Sequence, residues 1–250
     1  MQILSYPLLG LMFGTSPKLV RPQNSLQPLW RYLSARRLHD LLSSGELYFS
    51  HLPALEDNYE GALTQRSREH LADWFQHQNR CSRLLAYEQV EIYQKNRENF
   101  YVNCWHMNTH ESYLMWKAYA DRGFAIQTTF ERLQASFEAT QAVVSGGIVN
   151  YVDFARDLTP LGNVFDHVAT KDIPYKDERE FRLVFWDIDT RNVDQPKLQN
   201  GVRIPVQIDM LIRGIVRSPY YEPVDREIER LLEHHGLNIT NSIVSTRVLK

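Results

Sequence analysis

Residues 178–186 place charged and apolar side chains at alternating positions of one short segment. The apolar positions are Phe181, Leu183 and Phe185. A period of two residues is typical of a β-strand, in which successive side chains point to opposite faces. Glu178, Glu180 and Arg182 therefore share the other face. A strand is therefore predicted over 181–186, with two carboxylates and one guanidinium along one edge.

The rest of the chain predicts strands and helices that do not alternate regularly. Further strands are predicted over 29–32, 47–50, 101–105, 124–128, 143–152 (interrupted at Gly146-Gly147), 202–208, 212–216 and 243–248. Helices are predicted from Ser34 to Gly45, twice within 64–98, over 112–120 (Leu114, Met115 and Tyr119 inward), over 130–137 and over 224–235. Because these elements do not form βαβ units, the fold class is predicted to be α+β.

Prolines divide the beginning of the chain from the rest. Pro17, Pro22 and Pro28 punctuate a polar lead-in. The apolar stretch from Ile3 to Phe13 has no basic residue before it and no small-residue cleavage site after it, so it does not read as a signal peptide. We expect residues 1–27 to be a docked or frayed N-terminal arm and residues 28–250 to be a single α+β domain.

Composition excludes several classes of protein. The chain has 250 residues and a net charge of −2, which argues against a polybasic binder of nucleic acid or membranes. Hydrophobic residues make up 43%, enough for a sizeable core, and two cysteines are too few for a disulfide scaffold. No apolar run approaches the ~18 residues of a transmembrane helix. We therefore expect a cytoplasmic protein that does not enter a membrane.

The carboxylates at 178 and 180 have two interpretations. A carboxylate in this position could bind a sugar hydroxyl and stabilise the positive charge that develops at an anomeric carbon during glycosidic cleavage. Alternatively, Glu180 and Arg182 could neutralise each other on a solvated strand face. Spacing alone leaves both interpretations open.

A second cluster lies where a predicted strand ends and a predicted helix begins. Its members are Cys104, Trp105, His106, Met107, Asn108, Glu111, Ser112, Met115 and Trp116. They could form a functional site, or Glu111 or Ser112 could cap the helix while Trp105 and Trp116 belong to the core. A Cys104 nucleophile beside His106 lacks a visible third orienting group. Metal binding by His106 and His110 lacks a supporting motif, and no metal site is predicted.

Short motifs in this chain resemble a bacterial domain family of unknown function over about residues 28–248. The motifs are Leu29-Trp30-Arg31-Tyr32, Leu47-Tyr48-Phe49-Ser50, Asp57 with Glu60, Cys104-Trp105-His106, Glu111-Ser112, Met115-Trp116 and Tyr175-Lys176 with Glu178-Arg179-Glu180-Phe181-Arg182. The chain departs from that family at Glu56, Asn58 and Asn103. The resemblance implies a shared fold and no established activity.

More distantly, the order of motifs resembles the ADP-ribosyltransferase superfamily. This resemblance implies a mixed, mainly antiparallel sheet with helices inserted in the N-terminal half, and NAD as a substrate. Carried over by position, Arg31 would steady ribose or phosphate, Tyr48 or Ser50 would support the pocket, and Glu180 would be the catalytic carboxylate. Glu178 would position or deprotonate the acceptor. His106 and Glu111 are expected nearer the same cleft as further cofactor-binding residues.

Three hypotheses of function follow. The first is an NAD-consuming ADP-ribosyltransferase or NAD glycohydrolase, such as a bacterial toxin or defence factor, that modifies a protein or nucleic acid. The second is a non-catalytic module that senses an NAD-like small molecule or an interaction partner. The third is a metal-dependent nuclease that uses Asp57, Glu60 and the carboxylates at 178 and 180; as a simpler alternative, Asp57 and Glu60 are turn residues.

The first hypothesis predicts a geometry. Arg31, Ser50 and Glu180 should converge on one cleft, within about 15 Å, so that one ribose can contact all three. Trp105 and Trp116 should be buried.

Overall fold

The computed structural model describes residues 13–14, 19–57, 59–159, 161, 163, 165–187, 200–220 and 225–246. Most of the predicted N-terminal arm, Asn58 and the end of the predicted strand at 243–248 lie outside the described residues.

The strands occupy short, well-separated segments. They are β1 (Phe13–Gly14), β2 (Pro28–Ser34), β3 (Glu46–His51), β4 (Phe100–Met107), β5 (Gly123–Thr129), β6 (Val144–Ile148), β7 (Asn150–Val152), β8 (Thr170–Asp172), β9 (Glu180–Trp186), β10 (Gly201–Pro205), β11 (Gly214–Arg217) and β12 (Ile239–Asn241).

The α-helices are of modest length and concentrate between β3 and β6. They are α1 (Ala35–Ser44), α2 (Gln65–Asn79), α3 (Arg83–Lys95), α4 (Tyr113–Tyr119), α5 (Phe130–Ala135), α6 (Ile208–Leu211), α7 (Arg226–His234) and α8 (Ile243–Thr246). Short 3-10 turns cover Leu52–Ala54, Asn96–Asn99 and Ile173–Glu178. None of the helices in the described ranges combines the length and the apolar character needed to cross a membrane.

Ten strands form one sheet that forks at β4. Its main path runs β1-β6-β9-β4-β2-β5-β11-β12, while β3 also pairs with β4 and carries β10. The β2 strand meets the end of β4 at His106 and Met107, and β3 meets its beginning at Tyr101 and Val102. Most pairs are antiparallel, β1–β6 and β11–β12 being parallel, and β7 and β8 form a separate parallel pair. The prediction of an α+β fold with a mainly antiparallel sheet is confirmed.

The two faces of the central strands have different surroundings. Tyr101 and Trp105 of β4 pack with Phe181 and Leu183 of β9 in the main hydrophobic core. The alternate residues of both strands face the other side of the sheet. There, His106 is opposite Glu180 and Cys104 is opposite Arg182, with an apolar cluster around Val102 and Val184 farther along. This second face carries the candidate site.

Local signals in the sequence explain where α1 begins and ends. The Ser34 side chain accepts a hydrogen bond from the backbone N–H of Arg37 as the N-cap, and Gly45 adopts a left-handed conformation with φ of 67° at the C-cap. Leu38, Leu41 and Leu42 are buried on one face. The predicted strands around this helix and the predicted pair of helices within 64–98 are also confirmed.

Three predictions of local structure are wrong in detail. In α4, Leu114 and Tyr119 are exposed, because this short helix packs against the sheet through Trp116, with Met115 beside it. Gly146 and Gly147 lie inside β6, where a side chain at 147 would approach Leu19; the break comes at Val149.

The last error concerns the predicted strand at 243–248. Residues 243–246 form α8 instead, because the Ser242 side chain accepts a hydrogen bond from the N–H of Val244 and Glu111 accepts one from the N–H of Ile243. These bonds satisfy donors at the beginning of the helix.

Candidate functional site

Five charged side chains meet on the second face of the sheet, and we call them the charge cluster: Glu60, Lys171, Glu178, Glu180 and Arg182. They come from three regions of the chain, namely the loop before α2, strand β8 with the turn after it, and β9. Three carboxylates thus face two cations. Such a concentration of buried charge requires close pairing.

Arg182 and Glu180 form the buried base of the cluster. Arg182 donates through Nε to Oε1 of Glu180 at 2.6 Å and through Nη2 to Oε2 at 3.0 Å, which is a bidentate pair. Burial by itself would raise the pKa of Glu180, but the charges of Arg182 and Lys171 outweigh it and hold the pKa at about 2. Glu180 and Arg182 do neutralise each other, as one of the two interpretations expected, but they do so inside the protein and not on a solvated strand face.

Lys171 joins the base of the cluster to its rim. Its Nζ lies 2.6 Å from Oε2 of Glu178, 3.0 Å from Oε1 of Glu60 and 3.8 Å from Oε2 of Glu180. It also lies 4.5 Å from the centre of the Tyr175 ring, within range of a cation–π interaction. Burial opposes the charged form of Lys171, but the three carboxylates raise its pKa above the usual value, so the ammonium stays protonated.

Glu178 is the carboxylate of the cluster that reaches the surface. About a fifth of its side chain is accessible (19%), against 4% for Glu60 and Glu180. Its Oε1 accepts a hydrogen bond of 2.7 Å from the hydroxyl of Tyr119, and its Oε2 binds Lys171. Burial and this bond both raise the pKa of Tyr119, so the phenol remains a donor. The carboxylate is therefore oriented from both sides while part of it faces solvent.

His106 supports the backbone beside Glu178. Its Nδ1 lies 2.6 Å from the carbonyl oxygen of Glu178, and because a carbonyl only accepts, Nδ1 carries the proton. Burial lowers the pKa of His106, which keeps the ring neutral. Its Nε2 is buried and has no hydrogen-bond partner among the described residues. His106 is thus adjacent to the charge cluster.

Tyr151, on β7, contacts the backbone of the charge cluster. Its hydroxyl accepts a hydrogen bond of 2.9 Å from the backbone N–H of Glu180. Since β7 pairs with β8, which carries Lys171, this small sheet holds two of the groups that surround the carboxylates.

Arg31 lies on the opposite face of the sheet from Glu180. Its neighbours Leu29 and Leu33 belong to the main core, and its guanidinium lies 5.9 Å from the centre of the Trp105 ring. Its Nη1 donates to the carbonyl oxygen of Cys104 at 2.8 Å, and burial lowers its pKa to about 10. Alternation along β2 therefore directs Arg31 away from the cleft where the sequence placed it.

Ser50 is also separated from Glu180 along the sheet. Ser50 is opposite Val102, which is opposite Val184. Ser50 is therefore displaced from Glu180 by two strand spacings across the sheet and by four residues along β9. Because these displacements are perpendicular, the two residues are about 16 Å apart. Because Arg31 lies on the opposite face of the sheet, the predicted convergence of Arg31, Ser50 and Glu180 is not observed, and one ribose cannot contact all three. Tyr48 lines an apolar pocket of about 450 Å³, together with Ala142, Phe185, Gly201, Val202, Arg203, Ile204 and Pro205.

Glu111 ties α4 to the C-terminal part of the chain. Its Oε2 accepts a 2.7 Å hydrogen bond from Nε1 of Trp116 and another from the hydroxyl of Ser242, and its Oε1 accepts one from the N–H of Ile243. Trp105 and Trp116 are almost fully buried, at 1% and 0% exposure, which confirms that prediction. Ser112 is the N-cap of α4. In this geometry Glu111 acts as a structural anchor.

Cys104 faces the charge cluster but remains a thiol. Burial and the Glu180 carboxylate raise its pKa well above the usual value, which disfavours the thiolate that a nucleophile requires. Nε2 of His106 has no hydrogen-bond partner among the described residues, so His106 does not activate the Cys104 thiol. The geometry therefore does not support a cysteine nucleophile.

Sequence reasoning missed Lys171 and Tyr151 and misplaced Tyr119. Lys171 has no distinguishing neighbours in the sequence. The helical spacing over 112–120 predicts that Tyr119 faces the core, whereas its hydroxyl contacts Glu178. Glu60 lies in the charge cluster together with Glu178 and Glu180, the carboxylates with which the nuclease hypothesis groups it. Asp57 instead forms a turn, accepting a hydrogen bond from the N–H of Tyr59.

The chain was compared with models of known protein families, with curated proteins and with solved structures, and none of them matches it. Function is therefore inferred from the geometry of the site.

Proposed function

We propose that this chain is an NAD-consuming enzyme, an ADP-ribosyltransferase or NAD glycohydrolase, in which Glu178 contacts the nicotinamide ribose without the set of Arg31, Ser50 and Glu180 that the resemblance implied. The observation that supports this proposal is the state of Glu178. It is a partly exposed carboxylate held by Tyr119 and Lys171 at the rim of a buried charge cluster. A carboxylate fixed in advance can stabilise positive charge without reorganising during the reaction.

The chemistry proposed for Glu178 is electrostatic. When the bond between the ribose anomeric carbon and nicotinamide breaks, the electron pair leaves with nicotinamide and the ribose acquires oxocarbenium character. The carboxylate of Glu178 stabilises that charge until water or an acceptor attacks the same carbon. Glu180 has the supporting role, since Arg182 already binds both of its oxygens. This assignment moves the catalytic role from Glu180, where the resemblance placed it, to Glu178.

Nicotinamide release from NAD tests the proposal. Purified protein is incubated with NAD labelled in the adenine moiety, and nicotinamide and labelled macromolecules from a lysate are measured. Glu178→Gln should retain NAD binding and lower turnover by ~10²-fold or more. Glu138→Gln, at an exposed position on the short stretch after α5, is the matched control and should leave turnover unchanged. Wild-type turnover in a folded Glu178→Gln variant would remove Glu178 from the mechanism.

A non-catalytic sensing module is the second candidate. The pairing of buried carboxylates with Arg182 and Lys171 favours it, because such pairs also serve purely structural purposes. If NAD raises the melting temperature while remaining intact over long incubation, this candidate replaces the enzyme.

The nuclease hypothesis has less geometric support. The ammonium of Lys171 lies among the three carboxylates, in the position that a shared metal ion would occupy. Within the described ranges, no three His, Cys, Asp or Glu side chains are grouped so as to hold a metal ion. Cleavage of nucleic acid that depends on added Mg²⁺ or Mn²⁺ and is lost in Glu178→Gln would reverse this preference.

A further inference from the structure

Glu60 comes from a loop far from β9 in sequence, yet it contacts both cations of the charge cluster. Its Oε1 lies 3.0 Å from Nζ of Lys171, and its Oε2 lies 2.9 Å from Nη1 of Arg182. Each oxygen thus binds a different cation. The side chain is almost fully buried, so solvent cannot replace either contact.

The backbone around Glu60 is held firmly in place. The N–H of Glu60 donates to the carbonyl of Asp57 at 3.0 Å, and its own carbonyl accepts from Arg97. The following residue, Gly61, is in the left-handed region with φ of 66°, and its carbonyl accepts from Gln94 of α3. These contacts fix the point from which the Glu60 side chain enters the cluster.

Because Glu60 bridges Lys171 and Arg182, it determines which other carboxylate each cation can bind. With Nη1 of Arg182 occupied by Glu60 and by the carbonyl of Val168, its Nε and Nη2 remain for the bidentate contact with Glu180. Lys171 is held between Glu60 and Glu178, and its distance from Glu180 is longer. Without the bridge, Lys171 could move towards Glu180 and leave Glu178 with one orienting partner, Tyr119.

We propose that Glu60 is a positioning residue of the candidate active site, whose carboxylate bridges Lys171 and Arg182 and thereby keeps Lys171 on Glu178. The inference rests on the function proposed above. Glu60 is too deeply buried to contact a substrate, so its effect on the reaction passes through Lys171.

Two substitutions separate bridging from a simple charge effect. Glu60→Gln keeps the length of the side chain but presents an amide NH₂ to one cation, whereas Glu60→Asp keeps the charge but is one methylene too short to reach both. Bridging predicts that both variants lower kcat for nicotinamide release by ~10-fold or more while KM changes less than about 3-fold. A pure charge effect predicts wild-type kcat for Glu60→Asp, and that result would overturn the proposal.

A second measurement reports on Lys171 directly. In protein labelled with ¹⁵N-lysine, the Nζ resonance of Lys171 is identified by its absence from Lys171→Met. It should be protected from exchange with water in the wild type and lose that protection in both Glu60 variants. Ile215→Val, a buried change on β11 away from the site, is the control for lost stability and should retain both kcat and the protected resonance.

The two readouts distinguish failure of this inference from failure of the proposed function. If the wild type releases no nicotinamide, the proposed function fails and the Lys171 resonance alone decides the role of Glu60. A protected resonance in folded Glu60→Gln and Glu60→Asp overturns the bridge, whether or not the protein cleaves NAD.

Discussion

Arg182 is a fully buried cation, and its planar guanidinium explains how the fold accommodates it. The side chain distributes its hydrogen bonds among Glu180, Glu60 and the carbonyl of Val168. A lysine, with a single ammonium, could not provide the same parallel pair of bonds to a carboxylate. The cluster is therefore sensitive to the removal of any one buried partner.

The two glutamates at the beginning of β9 should respond differently to neutralisation. Glu180→Gln leaves the buried Arg182 without its bidentate partner and should lower the free energy of unfolding by roughly 3–5 kcal/mol. Glu178→Gln, at the partly exposed rim, should lower it by less than about 1 kcal/mol, because Lys171 keeps Glu60. Urea denaturation of the two variants makes the comparison, and equal losses would contradict this division into base and rim.

His167 should make stability depend on pH. Its ring is buried against Tyr93 and Phe100, neither nitrogen has a hydrogen-bond partner among the described residues, and burial lowers its pKa to about 4. Above pH 6.5 the ring is neutral in both the folded and the unfolded state, so it adds no pH dependence to the free energy of unfolding. Between pH 6.5 and 4 only the unfolded chain binds the proton, so stability should fall as the pH falls, by on the order of 2–3 kcal/mol.

His167→Phe isolates this contribution. The difference in unfolding free energy between wild type and variant, measured from pH 7.5 to 4, should change across that window. A constant difference would show that His167 is not kept neutral by burial.

At the scale of elements, two short connections determine where the site residues lie. The loop after β3 delivers Glu60, and the turn Ile173–Glu178 delivers Glu178. Arg179 ends that turn in the left-handed region, with φ of 42°, immediately before β9 begins. A left-handed conformation is costly for a residue with a Cβ. The chain thus accepts local strain at the junction between Glu178 and Glu180.

Gly61 and Gly236 form a matched pair for testing the loop after β3. Both have positive φ, 66° and 63°, so alanine at either position costs about 1–2 kcal/mol. At Gly61 a Cβ would also lie 2.5 Å from Cδ2 of Leu52, whereas at Gly236 it would meet nothing within 4 Å. Gly61→Ala should therefore be less stable than Gly236→Ala by at least about 1 kcal/mol in thermal melts. Equal losses would mean that the loop yields freely around Leu52.

Across the whole molecule, the charge cluster joins the small β7–β8 sheet to the large forked sheet. Lys171 on β8 contacts Glu180 of β9 and Glu60 of the loop before α2, and Tyr151 on β7 receives the N–H of Glu180. The larger sheet also has its own extensive core on the opposite face. The small sheet should therefore open more easily than the strands of the main core.

Lys171→Met tests this coupling. Amide hydrogen exchange should accelerate over residues 150–152 and 170–172 in the variant, because the carboxylates lose the cation that holds β8 against them. Exchange in the central pairing of β2 with β5 should remain at the wild-type rate. Acceleration throughout the protein would instead indicate one cooperative unit.

Sequence by itself determined the local elements wherever the signal lies within a few neighbouring residues. The alternation over 181–186, the Ser34 cap and the left-handed Gly45 depend on backbone geometry and short-range hydrogen bonding, and each appears as predicted. Glu178 does not share the strand: it ends the turn Ile173–Glu178, and β9 begins at Glu180. The burial of Trp105 and Trp116 followed from the large apolar area of these side chains.

Only the tertiary structure decided which side chains meet. Whether Arg31 shares a cleft with Glu180 depends on the pairing register of β2 with β4, which puts it on the opposite face. Whether Glu60 is a surface group or a buried partner of Arg182 and Lys171 depends on contacts between regions more than a hundred residues apart. Strand pairing and the need to compensate a buried guanidinium make those choices, and neither leaves a pattern within any one segment of sequence.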